Sequence, residues 1–238
     1  MNRLLRLKLA TFQQQSQPTP LPYKHKVDYL ICDGQQYILT GYTPNYKTGI
    51  AIKVGYSSTS SQRLYGSRTS SSSTDAFYIS SSSGNFYARI GVNTIANSTT
   101  SGTSKPIELY TTEGNEGLYY KHITNYNIVG GFWQNHYYLY KNENLIMNFP
   151  DSYYTSGQFT APTQAALLNA YSGGSLATGT GGFKGRFYYA KISDNRIAIQ
   201  SFIPVIDYND VPCLYEEVNG TFHYNEGAGS FGYGSIIS

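Results

Sequence analysis

Charge is what this chain has least of. Asp, Glu, Lys and Arg make up 13% of its 238 residues, about half the share found in an average globular domain. Seventeen basic against fourteen acidic side chains leave a formal net charge of +3. The basic residues of the body, such as Arg63, Arg68, Arg89 and Arg186, stand apart from one another. Nucleic-acid binders gather Lys and Arg on one face or in one run, so no nucleic-acid partner is expected. Cysteine is nearly absent: only Cys32 and Cys213 occur. Two such distant residues make no disulfide framework, and neither lies in a CxxC metal spacing. Spacing neither requires nor forbids one bridge between them; free, partly buried thiols are the expectation. No apolar run approaches the roughly 20 residues of a membrane span. The opening "MNRLLRLKLATF" imitates a signal peptide, but Arg6 and Lys8 interrupt its apolar stretch and glutamines follow Phe12, so no signal peptide is expected.

What the chain has instead is tyrosine: 25 Tyr beside 11 Phe and a single Trp. Tyrosine suits pleated, half-buried surfaces, and a chain short of Lys and Glu is short of strong helix formers. From Tyr23 onward, short apolar runs alternate with turn signals. "YLICDGQQYILT" turns at Asp33-Gly34, "TGIAIKV" places Ile50, Ile52 and Val54 on one face, and "DAFYIS" and "NFYARIGV" flank a Ser-Gly turn. "IELYTT", "YNIVGGFW", "HYYLYKN", "LIMNF", "FKGRFYYAKI", "RIAIQSFIPVI", "PCLYE" and "TFHYN" continue the series. Strands at this spacing describe an antiparallel sandwich or jelly roll. "APTQAALLNAYSGG" fits a short helix capped by Thr160 or Thr163 as well as it fits a buried strand; its period does not decide.

Residues 1–22 read as an arm. Leu5, Leu7 and Leu9 alternate with Arg6 and Lys8 as in a strand, while Leu5, Leu9 and Phe12 would share one helical face. Pro18, Pro20 and Pro22 favour an extended, semi-rigid spacer. The arm is read as a docking peptide, with Arg3, Leu5, Arg6, Leu7, Lys8, Leu9 and Phe12 as its anchoring residues. The alternative is a frayed tail without function.

Four segments carry a resemblance: "VDYLICDGQQYILTGYTPNYKTGIAIKV", "RLYGSRTSSSSTDAFYI", "GGFKGRFYYAKISDNRIAIQSFIPV" and "VPCLYEEVNGTFHYNEGAGSFGYG". Together they resemble the concanavalin A-like, laminin-G-like jelly-roll domains, in the version found in bacteriophage virion proteins and gut-bacterial surface proteins. The match runs from about Tyr23 to Gly234, with specific ends and a weak middle. It implies a two-sheet antiparallel sandwich over residues 23–238, first and last strands close together, and a strand reading of "AALLNAYS". Such domains are mostly binding or structural modules, some of them glycan-binding, and the resemblance carries over no sugar-contacting residue.

The chemistry-bearing residues argue against catalysis. Cys213 is expected in a strand, with His223 between Phe222 and Tyr224 on a face away from both rings, so the two would meet only by accident of pairing. Glu216 and Glu217 are adjacent and in a strand would point to opposite faces, unlike a glycosidase pair. Glu113 and Glu116 lie in the loop "EGNEG". "IDYNDVP" offers Asp207, Asn209 and Asp210 as calcium candidates, and "SDN" offers Asp194 and Asn195, though the first is read as ordinary turn chemistry ahead of calcium ligation. His25, His122, His136 and His223 show no zinc spacing. A glycan site needs ring faces with amides and hydroxyls nearby. The tract from Tyr119 to Tyr140 supplies Tyr119, Tyr120, Tyr126, Trp133, Gln134, Asn135 and His136, although half of any strand's residues face the core.

The expectation is therefore a non-enzymatic bacteriophage virion protein: a fibre, capsid-decoration or tail-associated component assembled in the host cytoplasm. Its arm would dock on other virion proteins, and its jelly roll would bind host or mucosal glycans. The alternatives are a purely structural virion component and a secreted glycosidase. No cofactor is expected beyond the calcium candidates, and no heptad repeat enforces an oligomer.

Overall fold

The structure is a computed structural model. It describes residues 20–45, 48–57, 60–68, 75–82, 85–91, 93–97, 106–109, 119–129, 132–141, 144–148, 160–172, 175–176, 181–194 and 197–238. Every expected anchoring residue of the arm lies outside them, as do Glu113, Glu116 and Asn195.

The described residues form strands joined by turns, with no helix among them. One sheet holds β1 (His25–Lys26), β2 (Leu30–Asp33), β4 (Thr48–Tyr56), β9 (Pro106–Leu109), β16 (Lys184–Asp194), β17 (Ile197–Ile206), β18 (Pro212–Glu216), β19 (Thr221–His223) and β20 (Gly232–Tyr233). The second holds β3 (Ile38–Leu39), β5 (Gln62–Arg68), β6 (Ala76–Ser82), β7 (Asn85–Gly91), β8 (Asn93–Asn97), β13 (Ala166–Leu167), β14 (Tyr171–Ser172) and β15 (Ser175–Leu176). A meander of β10 (Tyr119–Val129), β11 (Phe132–Lys141) and β12 (Asn144–Asn148) completes the described strands. Pairing is antiparallel apart from β14, which runs parallel to β5.

The protein is thus an all-β, two-sheet sandwich, as alternation and turn chemistry predict. The ambiguous "AALLNAYS" is strand: β13 lies between β3 and β5, and β14 follows. The first and last strands meet, Leu30 opposite Tyr233 and Val27 bridged to Ile236. Asp33-Gly34 turns the chain, but β2 and β3 on either side of it belong to different sheets.

Alternation builds the core. Leu30 and Cys32 of β2 face inward while Ile31 and Asp33 face out. Ile50, Ile52, Val54, Phe187, Ile192, Phe202 and Leu214 from one sheet pack on Ile38, Tyr65, Phe77, Ile79 and Leu167 from the other. A smaller cluster of Tyr23, Ile203, Val205 and Cys213, edged by Tyr215 and Phe222, lies across β17 and β18. Its rings meet edge to face, Tyr23 on Tyr215 at 5.4 Å and Tyr215 on Phe222 at 5.2 Å.

Buried polar side chains tie the elements together. Gln62 Oε1 accepts from the backbone of Lys184 (2.7 Å), and Gln200 Nε2 donates to the carbonyl of Thr40 (2.6 Å). Glu216, fully buried, accepts from the backbone N–H groups of Ser201, Val218 and Asn219 and from the Asn219 amide at 2.7–2.9 Å. Burial by itself would raise this carboxyl; the four donors outweigh it and hold the group below the usual carboxylate range. Asp207 holds the β17–β18 turn likewise, accepting from Asn209 N, Val211 N and the Tyr224 hydroxyl. There too the hydrogen bonds outweigh burial and lower the carboxyl.

Both groups bind their proton more weakly folded than unfolded. Their stabilisation is complete above the unfolded carboxylate pKa and is lost as pH falls through the folded one. Urea unfolding at neutral and acid pH will therefore show stability falling below the ordinary carboxylate range. Glu216→Gln, which keeps the shape and loses the charge, will cost about 1–3 kcal/mol at neutral pH and flatten part of that acid limb. A second expectation concerns Gly185, where a Cβ would fall on the carbonyl oxygen of Gly55 in β4. Gly185→Ala will force β16 and β4 apart and lower stability by about 2–4 kcal/mol, read as a drop in thermal midpoint.

Candidate functional site

The structure gives the sequence-predicted residues different fates. Tyr119 and Tyr120 open β10 opposite Tyr140 and Leu139; Tyr126 lies in the irregular stretch between Asn125 and Val129. Trp133, Asn135 and His136 lie on β11, with Asn135 opposite Thr124 and His136 opposite Ile123. The six are spread along this hairpin, and their side chains lie outside the described residues. Asp207, Asn209 and Asp210 serve their turn: Asp207 is engaged as above, and Asp210 pairs with Lys24 at 2.6 Å. Among the described residues no three His, Cys, Asp or Glu side chains gather around a point.

Cys213 is buried against Val205, and His223 sits opposite Leu214 with its ring edge-on to Phe202 at 5.1 Å. The thiol and imidazole do not form a pair. Burial, helped by nearby Asp207, pushes the Cys213 thiol up to about 12; burial and Asp33 push Cys32 higher still. Such thiols are not nucleophiles at neutral pH. The adjacent glutamates depart from the sequence expectation. β18 ends at Glu216, so alternation ends there too, and both carboxylates reach Ser201: Glu216 its N–H at 2.8 Å, Glu217 its hydroxyl at 2.7 Å. Glu216 is saturated by donors and closed to solvent, which leaves Glu217 as the one accessible carboxylate of the two rather than a working pair.

A polar cluster closes one end of the core. The Tyr42 hydroxyl bonds Thr48 Oγ1 at 2.8 Å and receives the Asn45 amide at 3.4 Å. Burial pushes this hydroxyl up to about 12, with the Asp194 charge adding to the effect. Tyr65 points its fully buried hydroxyl toward the same end, where Tyr42 raises it further. Thr48 and Tyr65 of this cluster are buried, while Tyr42 and Asn45 are half-buried.

The surface that does present chemistry is the outer face of the first sheet, where strand register aligns residues from distant parts of the chain. One row runs Gly232, Ile31, Arg186, Gly55, Pro106 across β20, β2, β16, β4 and β9. The next begins where Gly234 N donates to Tyr29 O and passes through Tyr29 and Tyr188 to Lys53 and Glu108. Tyr29 and Tyr188 meet edge to face at 5.4 Å. The Arg186 guanidinium lies 4.6 Å over the Tyr29 ring, and Lys53 Nζ lies 5.7 Å over Tyr188. A register shift between Phe187 and Tyr189 sets the extra residue, Tyr188, on this face. Ile31 is 45% exposed, Arg186 is exposed, and the two rings and Lys53 are half-buried. Glycines on both sides leave the face low and open. Such a face can stack rings on apolar ligand surfaces and offer a cation to polar ones.

The sequence held one trace of it, the alternation in "KGRFYYAK"; the partner ring, Tyr29, lies in the first sixth of the chain and is joined only by register.

The fold and this face define an all-β sandwich domain with an open aromatic and cationic sheet surface. No family model and no curated protein matches the chain. Among solved structures it is similar to the CBM40 of the Ruminococcus gnavus IT-sialidase, with a TM-score of 0.38 and 13% identity over 71% of this chain and 87% of that one. That likeness is too distant to carry an argument about function.

The buried thiols give a direct check of the native packing. A chromogenic disulfide reagent at neutral pH will release no colour from the folded protein within minutes and two equivalents in denaturant, one for each cysteine of the sequence.

Proposed function

We propose that this chain is a non-catalytic glycan-binding module of a bacteriophage virion, carried on the particle by its N-terminal arm. The observation that carries the glycan reading is the outer face of the first sheet. The half-buried rings of Tyr29 and Tyr188 and the exposed Ile31 form an apolar floor, with Arg186 and Lys53 held over its rings. Rings stack on the apolar faces of pyranoses, while fixed cations and hydroxyls pair with sugar oxygens. The non-catalytic part is supported by the inert thiols and the saturated Glu216. The virion part is supported by the sequence resemblance of residues 23–234 and by the basic, leucine-rich start of the chain.

A second reading, a purely structural virion component, draws on a different surface. Leu21, Tyr208, Val211 and Tyr224 are exposed around the place where residue 20 leads into the sandwich, and the Tyr208 hydroxyl bonds the Leu21 carbonyl at 2.8 Å. An apolar strip there suits protein contact.

A glycan array probed with the full chain separates the two. Binding to at least one glycan class, weakened about tenfold (about 1.4 kcal/mol) by Tyr188→Ala with the circular dichroism spectrum unchanged, is the expected result. Failure to bind any class leaves the structural reading.

A further inference from the structure

The outer face also holds information about the kind of glycan. Two cations of β16 on this face, Arg186 and Lys191, have no carboxylate opposite them in the sheet, and Arg186 is the one that lies over the Tyr29 ring. Lys184 is opposite Asp33, and Lys53 is opposite Glu108. Arg186 is opposite Ile31 on one side and Gly55 on the other, both uncharged, and makes no ion pair among the described residues.

Its geometry is fixed from below. The guanidinium rests 4.6 Å over the Tyr29 ring. That ring is held edge-on by Tyr188 and bounded by Gly234, where a Cβ would come within 2.6–2.8 Å of its atoms. Gly234 therefore lies against the ring with no room for a side chain. A guanidinium carries its N–H donors in its own plane, and those of Arg186 hold no ion pair among the described residues. On one side Gly55 places no side chain in the way; on the other the neighbour is the apolar Ile31, with Gly232 beyond it. An exposed arginine held over a ring, with no carboxylate opposite it, is prepared to take a planar or tetrahedral oxyanion through two parallel hydrogen bonds.

We infer that Arg186 receives the acid group, carboxylate or sulfate, of an anionic saccharide lying across Ile31, Tyr29 and Tyr188. The inference rests on the reading of this face as a glycan platform and gives that platform its ligand class. Tyr29 is a positioning residue: it orients the fork and is not required to touch the ligand.

The test uses the full chain in a binding titration against three polysaccharides matched in length: neutral, uronate-containing and sulfated. Inorganic sulfate serves as the free-anion control. At least one acidic polymer is expected to bind tenfold or more tightly than the neutral one, and the two acidic arms report which acid group is preferred. Arg186→Gln will reduce that preference to the neutral level with an unchanged thermal midpoint. Arg186→Lys will restore part of it, because an ammonium keeps the charge and loses the fork. Three results overturn the inference: equal binding of neutral and acidic polymers, an acid preference that survives Arg186→Gln, or competition by inorganic sulfate at the polymer's own concentration. In each of these the platform reading stands if Tyr188→Ala still weakens binding. Failure of all three polymers to bind removes the platform reading, and this inference with it.

Discussion

The structure depends on β16 being paired along both edges. Its 184–187 segment bonds β2, its 190–194 segment bonds β17, and β4 runs along the opposite edge from Tyr56 to Thr48. The inward residues Phe187, Ala190 and Ile192 are fully buried in the main core. Its outward residues inherit that rigidity. Arg186 stands on backbone paired on both sides, and Tyr188, the extra residue of the register shift, is held between paired segments of the same strand, so their positions do not depend on a loop. The close approach of Gly185 to Gly55 belongs to the same constraint, since the two strands meet there with no space for a side chain.

The second organising feature is where the chain places its few acids. Asp207 and Glu216 each terminate a strand of the same hairpin, β17 and β18, and each binds the N–H groups of the turn that follows it. In a chain so poor in charge this matters chemically as well as structurally. A carboxylate whose acceptors are all engaged neither ligates a metal nor passes a proton. Asp207 and Asp210, read in the sequence as turn chemistry ahead of calcium ligation, are engaged at the turn. Asp207 is engaged by Asn209, Val211 and Tyr224, and Asp210 by Lys24.

Most of the fold was legible in the sequence because alternation is a local signal. Ile50, Ile52 and Val54 read as one face and are one face; the opening and closing stretches of the domain do meet, Leu30 opposite Tyr233 and the Tyr37 N–H donating to Asn225 Oδ1. What local reading could not give were the exceptions to period two. In "RFYYA", strict alternation would put Arg186, Tyr188 and Ala190 together, yet Ala190 is fully buried and Arg186 exposed. The register shift between them costs one residue and reverses the pattern. Glu216 and Glu217 meet on Ser201 because the strand stops between them. The face joining Tyr29 to Tyr188 was invisible for a further reason: it exists only through register, and register between β2 and β16 is a tertiary fact. The sequence pointed instead to the tyrosine-rich tract from Tyr119 to Tyr140, where composition is loudest.

The shape of the face constrains the ligand independently of its charge. From β20 to β9 it crosses five strands, and at about 4.8 Å per strand this is a span of roughly 20 Å. It is a flat tract bordered by glycines, with contacts distributed along two rows. A pocket encloses one sugar and takes its affinity from a few buried hydrogen bonds. A flat tract takes several units of an extended chain through shallow contacts, each remaining partly in water and each weak. Single-site affinity on such a surface is low, and useful retention comes from repetition: many copies held on one body raise the effective concentration of the next contact without any new interaction. On the proposed reading, in which the sandwich is a glycan platform carried in many copies, that gain is largest. It also explains why rigidity of β16, rather than depth of a cleft, is the property this fold protects.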